Sequence, residues 1–205
     1  MDMKDMTISD YSAVLASKEP VPGGGGASAV VGCLSAALGS MVCSLTTGKK
    51  KFLEYESFYN DTIKRLEEIR LRFLSLSDED AKVFLPLSEA YKLPKDDPHR
   101  DEIMEPALAA AAEVPLEIMR NCCEVIDIFA ELLDKSSALV LSDVGVGVSF
   151  AASALMSASL NVFINTKAMK DREKAGQMET EADELCEKYL PVSDDVFSEV
   201  MARLR

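Results

Sequence analysis

This sequence has one histidine, no tryptophan and no paired cysteine motif, and these shortages narrow the chemistry that it can perform. The histidine, His99, lies in a polar run from Lys95 to Arg100 that indicates a loop. Acid–base chemistry must therefore depend on Asp, Glu, Lys, Tyr or Cys side chains. The five cysteines show neither CxxC nor Cys/His spacing, which argues against a zinc site or a disulfide framework and favours reduced thiols in a cytoplasm.

Positive charge is also scarce, because the net charge of the 205 residues is −13. Such a field repels a phosphate backbone, so nucleic-acid binding is disfavoured. The first residues, Met1 to Met6, are mixed and acidic, and we expect no secretory signal. The one basic cluster is Lys49-Lys50-Lys51, which follows Gly48 at the predicted end of a helix and is suited to cap its carbonyl groups.

Alternation of apolar and polar residues with a period of two is absent over more than a few residues, which indicates an all-α fold. We predict a single domain over residues 1–205, a bundle of long antiparallel helices with a buried central pair of small-residue helices. Prolines are expected to punctuate the helical pattern, and Pro106 and Pro115 are expected to lie in first turns or to produce kinks. A short helix follows the N-cap Thr7, and the others are predicted at 27–47, 52–76, 78–93, 100–134, 138–166, 171–190 and 193–205.

Two stretches of about 20 uncharged residues, 27–47 and 144–165, are long enough to cross a membrane. Both consist mainly of Ala, Ser and Gly, and neither has flanking Trp/Tyr belts. The centre of a helical bundle or a dimer interface requires the same composition. We therefore expect a soluble, cytoplasmic protein that does not insert into membranes.

Four consecutive glycines, Gly23 to Gly26, directly precede the first uncharged stretch. Glycines before a helix leave backbone N–H groups open to a ligand at the positive end of the helix dipole. The run lacks the Lys and Ser/Thr of a P-loop and follows a helix, so a Rossmann motif is excluded as well. A flexible connector is the alternative interpretation.

Two carboxylates and two amides stand out because they lie in apolar surroundings. Asp80 shares a helix face with apolar residues, and Asp143 is the only charge between Lys135 and Lys167. Either carboxylate can instead cap a helix. Asn161 and Asn165 lie one helical turn apart. A buried side-chain amide either forms hydrogen bonds between helices or forms hydrogen bonds to a ligand.

Seven short sequence motifs, and their order along the chain, resemble the cyclodeaminase/cyclohydrolase family. This family includes the cyclodeaminase part of formiminotransferase-cyclodeaminase and methenyltetrahydrofolate cyclohydrolases. The similarity runs from about residue 7 to residue 200. The seven motifs are Pro22-Gly23-Gly24-Gly25-Gly26-Ala27, Met41 to Phe52, Asp78 to Phe84, Tyr91 to Lys95, Val114-Pro115-Leu116, Ser142 to Val146, and Leu160 to Asn165.

The resemblance implies an all-helical homodimer that binds a folate near the subunit interface without metal or cofactor. It implies catalytic carboxylates at Asp143 and Asp80. The implied substrate contacts are Gly23, Gly24, Gly25, Gly26, Lys49, Lys51, Tyr91, Ser142, Asn161 and Asn165. Lys49 and Lys51 are expected to bind the glutamate tail of the folate, which carries one glutamate or several. Of the two, Lys49 is expected to contact the tail.

The residues do not decide which reaction takes place. We expect a formiminotetrahydrofolate cyclodeaminase, in which N10 attacks the formimino carbon and ammonia leaves, with a methenyltetrahydrofolate cyclohydrolase as the alternative. A non-catalytic helical folate-binding or scaffold protein is the third reading. The family usually carries Gly-Asn-x-Asn before its Ser-Asp pair, whereas this chain has Ser136-Ser137-Ala138-Leu139, so its activity or substrate preference can differ.

Overall fold

A computed structural model describes residues 2–94 and 96–205, and all regular structure in these ranges is helical. Met1 and Lys95 lie outside the described residues. Lys95 is the last residue of the motif that begins at Tyr91 and the first residue of the loop predicted around His99. The six α-helices are α1 (Ile8–Leu15), α2 (Gly24–Thr46), α3 (Glu56–Tyr91), α4 (Arg100–Leu132), α5 (Leu141–Thr166) and α6 (Arg172–Leu204). The predicted all-α class is therefore confirmed.

Local signals set several helix ends as predicted. The hydroxyl of Thr7 accepts a hydrogen bond from the Asp10 N–H and caps α1. Beyond the C-terminus of α2, Gly48 adopts a φ of 76°, which favours glycine because it has no Cβ. The carboxylate of Asp171 caps α6 by accepting from the Lys174 N–H.

Four prolines lie inside helices: Pro86 in α3, Pro106 and Pro115 in α4, and Pro191 in α6. The predicted break at Pro191 is therefore wrong, and the two helices predicted after Asp171 form one helix, α6. The two helices predicted on either side of Ser77 also form one helix, α3. Each interior proline removes one N–H from the helical ladder and leaves the carbonyl four residues earlier without its usual donor.

The small-residue helices α2 and α5 pack against each other, but they are not buried on all sides as predicted. They run antiparallel, since Gly24 at the start of α2 lies beside Asn161 near the end of α5, while Thr46 at the end of α2 lies beside Ser137, just before α5. Between these ends Ser35 donates to the Gly147 carbonyl at 2.7 Å. On their flanks α2 lies against α3 and α5 against α6, while α4 packs against α3, α5 and α6. A Cβ at Gly147 would lie 2.0 Å from the ring of Phe129, so a glycine is required for this aromatic ring of α4 to enter the core.

One face of the α2–α5 pair is not covered by the rest of the bundle. Its exposed apolar side chains are Leu34, Met41 and Leu45 from α2 and Val146, Met156, Leu160 and Ile164 from α5. By length and composition, Gly24–Thr46 and Ala138–Thr166 are apolar enough to cross a membrane, but 44% and 50% of their most apolar windows are buried inside the bundle. Core helices of a bundle meet the same criteria.

The five cysteines are free thiols. Cys33, Cys43, Cys122 and Cys123 are buried, and Cys186 is half-buried. Burial raises the pKa of each of these thiols, and it raises the pKa of Cys43 to about 12.

Candidate active site

A cavity of about 200 Å³ lies where the N-terminus of α2 meets the C-terminal part of α5, and we call it the glycine-end cavity. Its polar wall consists of Gly23, Gly24 and Gly25 with the side chains of Asp80, Asn161 and Asn165. Its apolar wall consists of Pro20, Val21, Val83, Phe84, Ala111 and Ile164. The glycine run, one predicted carboxylate and both predicted amides are thus brought together.

Most of the glycine run is helical rather than a connector, because Gly24, Gly25 and Gly26 form the first turn of α2 with Gly23 as the N-cap. The N–H of Gly26 donates to Asp80 Oδ2 at 2.8 Å. A Cβ built on Gly25 would lie 2.2 Å from Asp80 Oδ1, whereas one on Gly23 would meet no atom within 4 Å. Glycine is needed at position 25 so that a carboxylate can lie directly against the backbone.

Asp80 lies in the middle of α3, which excludes the alternative that it caps a helix. Its carboxylate is largely enclosed by the cavity wall and the first turn of α2. Burial raises the pKa of the Asp80 carboxyl, and the hydrogen bond from Gly26 opposes part of that rise. A carboxyl with a raised pKa beside an open cavity is suited to exchange a proton with a ligand.

Tyr11 and Ser77 belong to this neighbourhood, although neither was predicted from the sequence. Their hydroxyl oxygens are buried, and each would lie 3.3 Å from a Cβ on Gly26. Burial raises the pKa of the Tyr11 hydroxyl, and the negative charge of Asp80 contributes. Ser77 precedes Asp80 by three residues and so shares its helix face, a spacing that the sequence contains. Tyr11 lies far from Ser77 and Asp80 in the sequence, so no spacing pattern predicts that it joins them.

Asp143 lies at the opposite end of the same helix pair. It is separated from Asn161 by eighteen residues of α5, which at about 1.5 Å per residue places them about 27 Å apart along the helix. The N-cap of α5 is Val140, so the interpretation of Asp143 as an N-cap is wrong. Within one chain, Asp80 and Asp143 do not face a common cavity. Because both ends lie in one predicted helix, this separation could have been foreseen.

The remaining predicted contacts also lie away from the glycine-end cavity. Tyr91 is the last residue of α3 and is 49% exposed. Ser142 lines a different, apolar cavity of about 340 Å³ with residues of α6 such as Phe197. Lys49 donates from Nζ to Ser137 Oγ at 2.6 Å, in the segment where the sequence departs from the family pattern.

Lys51 lines a cleft of about 370 Å³ between the C-terminus of α2 and the C-terminus of α6, which we call the lysine-end cleft. Arg203, Asp134 and Glu54 also line this cleft. Since the ammonium of Lys49 is bonded to Ser137, Lys51 is the lysine of the pair that is placed on an open cleft. The expectation that Lys49 reaches a ligand therefore has less support than the same expectation for Lys51.

Comparisons with known proteins agree with the arrangement of helices. A family model described as formiminotransferase-cyclodeaminase matches residues 7–184. A methenyltetrahydrofolate cyclohydrolase from Methylorubrum extorquens is 36% identical over 202 residues, which are 97% of each chain. A formimidoyltransferase-cyclodeaminase from Mus musculus is 31% identical over 82% of this chain, which spans 32% of that longer relative.

A crystal structure of formiminotetrahydrofolate cyclodeaminase from Thermotoga maritima is similar to this fold, with a TM-score of 0.86. The alignment covers 98% of this chain and 96% of the other, at 24% identity. At this identity the likeness shows the fold alone.

Proposed function

Because this chain belongs to the formiminotransferase-cyclodeaminase family and is an enzyme of folate metabolism, we propose that it hydrolyses 5,10-methenyltetrahydrofolate to a formyltetrahydrofolate. The observation that carries this choice of reaction is the match to a methenyltetrahydrofolate cyclohydrolase over 97% of both chains. The sequence alone led us to expect the cyclodeaminase reaction, which acts on the same bridge carbon.

The chemistry of the hydrolysis fits the glycine-end cavity. The methenyl bridge carries positive charge over N5, the bridge carbon and N10, and a nearby carboxylate stabilises it. In the reaction the oxygen of a water molecule bonds to the bridge carbon while a proton passes from the water to a base. The bond from that carbon to one of the two nitrogens then breaks as the added hydroxyl loses its proton and becomes the formyl oxygen. The departing nitrogen takes up a proton, and one proton is released in each turnover. Asp80 is the carboxylate that we assign to these proton transfers.

Formiminotetrahydrofolate cyclodeaminase is the second candidate, and the raised pKa of Asp80 favours it. In that reaction N10 adds to the formimino carbon and the nitrogen that leaves as ammonia must be protonated. A carboxyl that burial keeps protonated to a higher pH than usual can supply this proton. The relative from Mus musculus, whose name includes cyclodeaminase, supports this alternative.

The two reactions are separated by the absorbance of the methenyl bridge. Purified protein is mixed with 5,10-methenyltetrahydrofolate in one cuvette and with 5-formiminotetrahydrofolate in another. Decay of the methenyl band in the first cuvette alone supports the cyclohydrolase, and growth of that band in the second alone supports the cyclodeaminase. No catalysed change in either cuvette, against buffer and against Asp80→Asn as controls, would leave the binding or scaffold protein and reject both enzymes.

We assign a homodimer to the functional protein, formed through the exposed apolar face of α2 and α5. Ile164 belongs to that face and also lines the glycine-end cavity, so the cavity opens toward a partner. Face-to-face packing in an antiparallel sense would bring Asp143 of the partner subunit toward Asp80. This is how two carboxylates at opposite ends of the helix pair in one chain can act on one folate.

Mixing two inactive variants tests the shared site. In a hybrid dimer of Asp80→Asn and Asp143→Asn, one site carries both changes and the other carries neither. Random exchange of subunits should therefore restore about a quarter of the wild-type activity. An unchanged, inactive mixture, with hybrid dimers demonstrated by differently tagged subunits, would reject the shared site and leave the reaction itself in place.

The reaction as written uses water and protein side chains, and we propose that the enzyme works in the cytoplasm without metal or organic cofactor. The folate substrate, with one glutamate or several, would place its glutamate tail toward Lys51 and Arg203 of the lysine-end cleft. In the dimer proposed above, these residues come from the partner subunit.

A further inference from the structure

The side-chain amide of Asn165 has a fixed orientation. Its Nδ2 donates to the Ala111 carbonyl at 2.9 Å and to the Asn161 carbonyl at 2.8 Å. The opposite orientation would place Oδ1 against two carbonyl oxygens, which repel it. Both N–H groups of the amide are therefore used within the protein, and Oδ1 is the group that remains for a ligand.

The Ala111 carbonyl is available to Asn165 because of a proline. In a regular helix this carbonyl would accept the N–H of residue 115, four positions later. Residue 115 is Pro115, which has no N–H and lies in the interior of α4. The amide of Asn165 supplies the missing donor from α5, so a gap in one helix fixes a side chain of the next.

The other polar side chains of the glycine-end cavity are acceptors as well. Asn161 donates from Nδ2 to the Ser157 carbonyl at 2.9 Å, and its Oδ1 lies 3.4 Å from a Cβ position on Gly24. Asp80 receives the Gly26 N–H at Oδ2, which leaves Oδ1 over Gly25. These side-chain acceptors favour a ligand edge that carries several N–H groups.

We propose, on the basis of the folate chemistry proposed above, that the glycine-end cavity holds the pterin end of the substrate. Asn165 Oδ1 accepts an N–H from its 2-amino-pyrimidinone edge, which carries the N3–H and the 2-amino group. Pro115 is a positioning residue, since it frees the carbonyl that orients Asn165. The glutamate tail, which carries only carboxylates at its end, lies outside this cavity.

Two tail-free ligands that differ at one group test the proposal by calorimetry, without any turnover. They are 6-methyltetrahydropterin and 6-methyltetrahydrolumazine, in which an oxo group replaces the 2-amino group. The wild-type protein should bind the pterin about tenfold or more tightly than the lumazine, because the exchange replaces the 2-amino donor by an oxo acceptor that faces protein acceptors. p-Aminobenzoylglutamate, the tail fragment, should not displace the pterin.

Matched variants locate the preference. Asn165→Leu should bring the ratio of the two dissociation constants close to one, while Asn121→Leu, which removes a buried asparagine elsewhere in α4, should keep it. Pro115→Ala restores an N–H that competes for the Ala111 carbonyl, and it should lower the ratio. Pro191→Ala restores an N–H in α6 and should leave the ratio unchanged.

Every other pattern contradicts the proposal. The absence of a preference in the wild-type protein, whether both ligands bind or neither does, would overturn it. Displacement by p-aminobenzoylglutamate, or a preference that persists in Asn165→Leu, would do the same. A failed preference together with turnover in the absorbance assay rejects only this inference, whereas a preference without turnover rejects only the proposed reaction.

Discussion

The two ends of the α2–α5 pair carry polar groups in different ways. At the glycine end, side chains are missing from α2, and Asp80 and Asn165 are held by backbone groups in a partly enclosed cavity. At the lysine end, Lys51, Arg203 and Asp134 line a wide cleft. Charges in solvent are screened and contribute little individually, whereas a carboxylate held away from water interacts strongly with a bound ligand. Chemistry is therefore expected at the glycine end and recognition of a charged tail at the lysine end.

The largest effect should come from filling the space between the backbone and Asp80. Gly25→Ala places a methyl group 2.2 Å from Asp80 Oδ1, so the carboxylate must move out of the site. We expect kcat/KM to fall by about a hundredfold or more, since a misplaced catalytic group has effects of this size. The cause is this contact and not the backbone conformation, because among the described glycines Gly48 is the one with positive φ.

Gly176→Ala in α6 is the matched control for that change, because nothing lies within 4 Å of its added Cβ and it does not line the glycine-end cavity. It should leave kcat/KM nearly unchanged. Circular dichroism of both variants should match that of the wild-type protein. Equal losses in the two variants would mean that the effect of Gly25→Ala does not come from its contact with Asp80.

Removal of the charge at Asp80 should come next in size. Asp80→Asn keeps an oxygen for the Gly26 N–H but cannot exchange a proton, and we expect turnover to fall about a hundredfold. In the wild-type hydrolysis the carboxylate form is required, so kcat/KM should fall with decreasing pH through a pKa above 3.8. Glu79→Gln, a change at the neighbouring exposed ion pair with Arg72, should retain activity and the same pH profile.

Asp80→Asn should also stabilise the fold and raise the Tm by a few degrees at neutral pH. Burial raises the pKa of Asp80 above 3.8, so the folded state holds its proton more tightly than the unfolded state. Stability associated with this group is present below the unfolded pKa and is lost as the pH rises through the folded pKa. Asp80→Asn avoids that loss, and its gain in Tm over the wild-type protein should disappear in acid. A lower Tm for the variant at pH 7 would contradict this account.

The smallest effects are expected at the lysine end. Exchange of Lys49, Lys50 and Lys51 for Gln should weaken polyglutamylated folate a few-fold more than monoglutamate, and the difference should shrink in high salt. Turnover at saturation should barely change. Of the single substitutions, Lys51→Gln should have the larger effect, because Lys49 is bonded to Ser137. A loss that is equal for both ligands, or independent of salt, would indicate a role in helix capping or dimer contact alone.

The sequence predicted the parts of this fold that depend on neighbouring residues. Thr7 as an N-cap, Gly48 as a helix stop and the small-residue pair α2 and α5 follow from local patterns. The continuity of α6 did not, because packing against neighbours outweighs the hydrogen bond lost at Pro191. The continuity of α3 through Ser77, where two helices were predicted to meet, was missed as well.

The candidate site was predictable to a similar extent. The glycine run and Asp80 stood out because small residues and an acid occurred where apolar residues were expected. The contact of Tyr11 and the link from Pro115 to Asn165 join residues far apart in sequence, so they emerge only when the helices are placed together. The separation of Asp143 from Asp80 follows from the length of α5.

The buried thiols give this bundle a built-in record of its own opening. Alkylating reagents attack the thiolate, and a thiol whose pKa is about 12, as at Cys43, is almost wholly protonated at neutral pH and out of reach of the reagent. Cys186, half-buried on α6, is the most accessible of the five and should acquire label first. The order in which the five sites acquire label therefore dates each opening event, from local breathing to global unfolding, without any engineered probe.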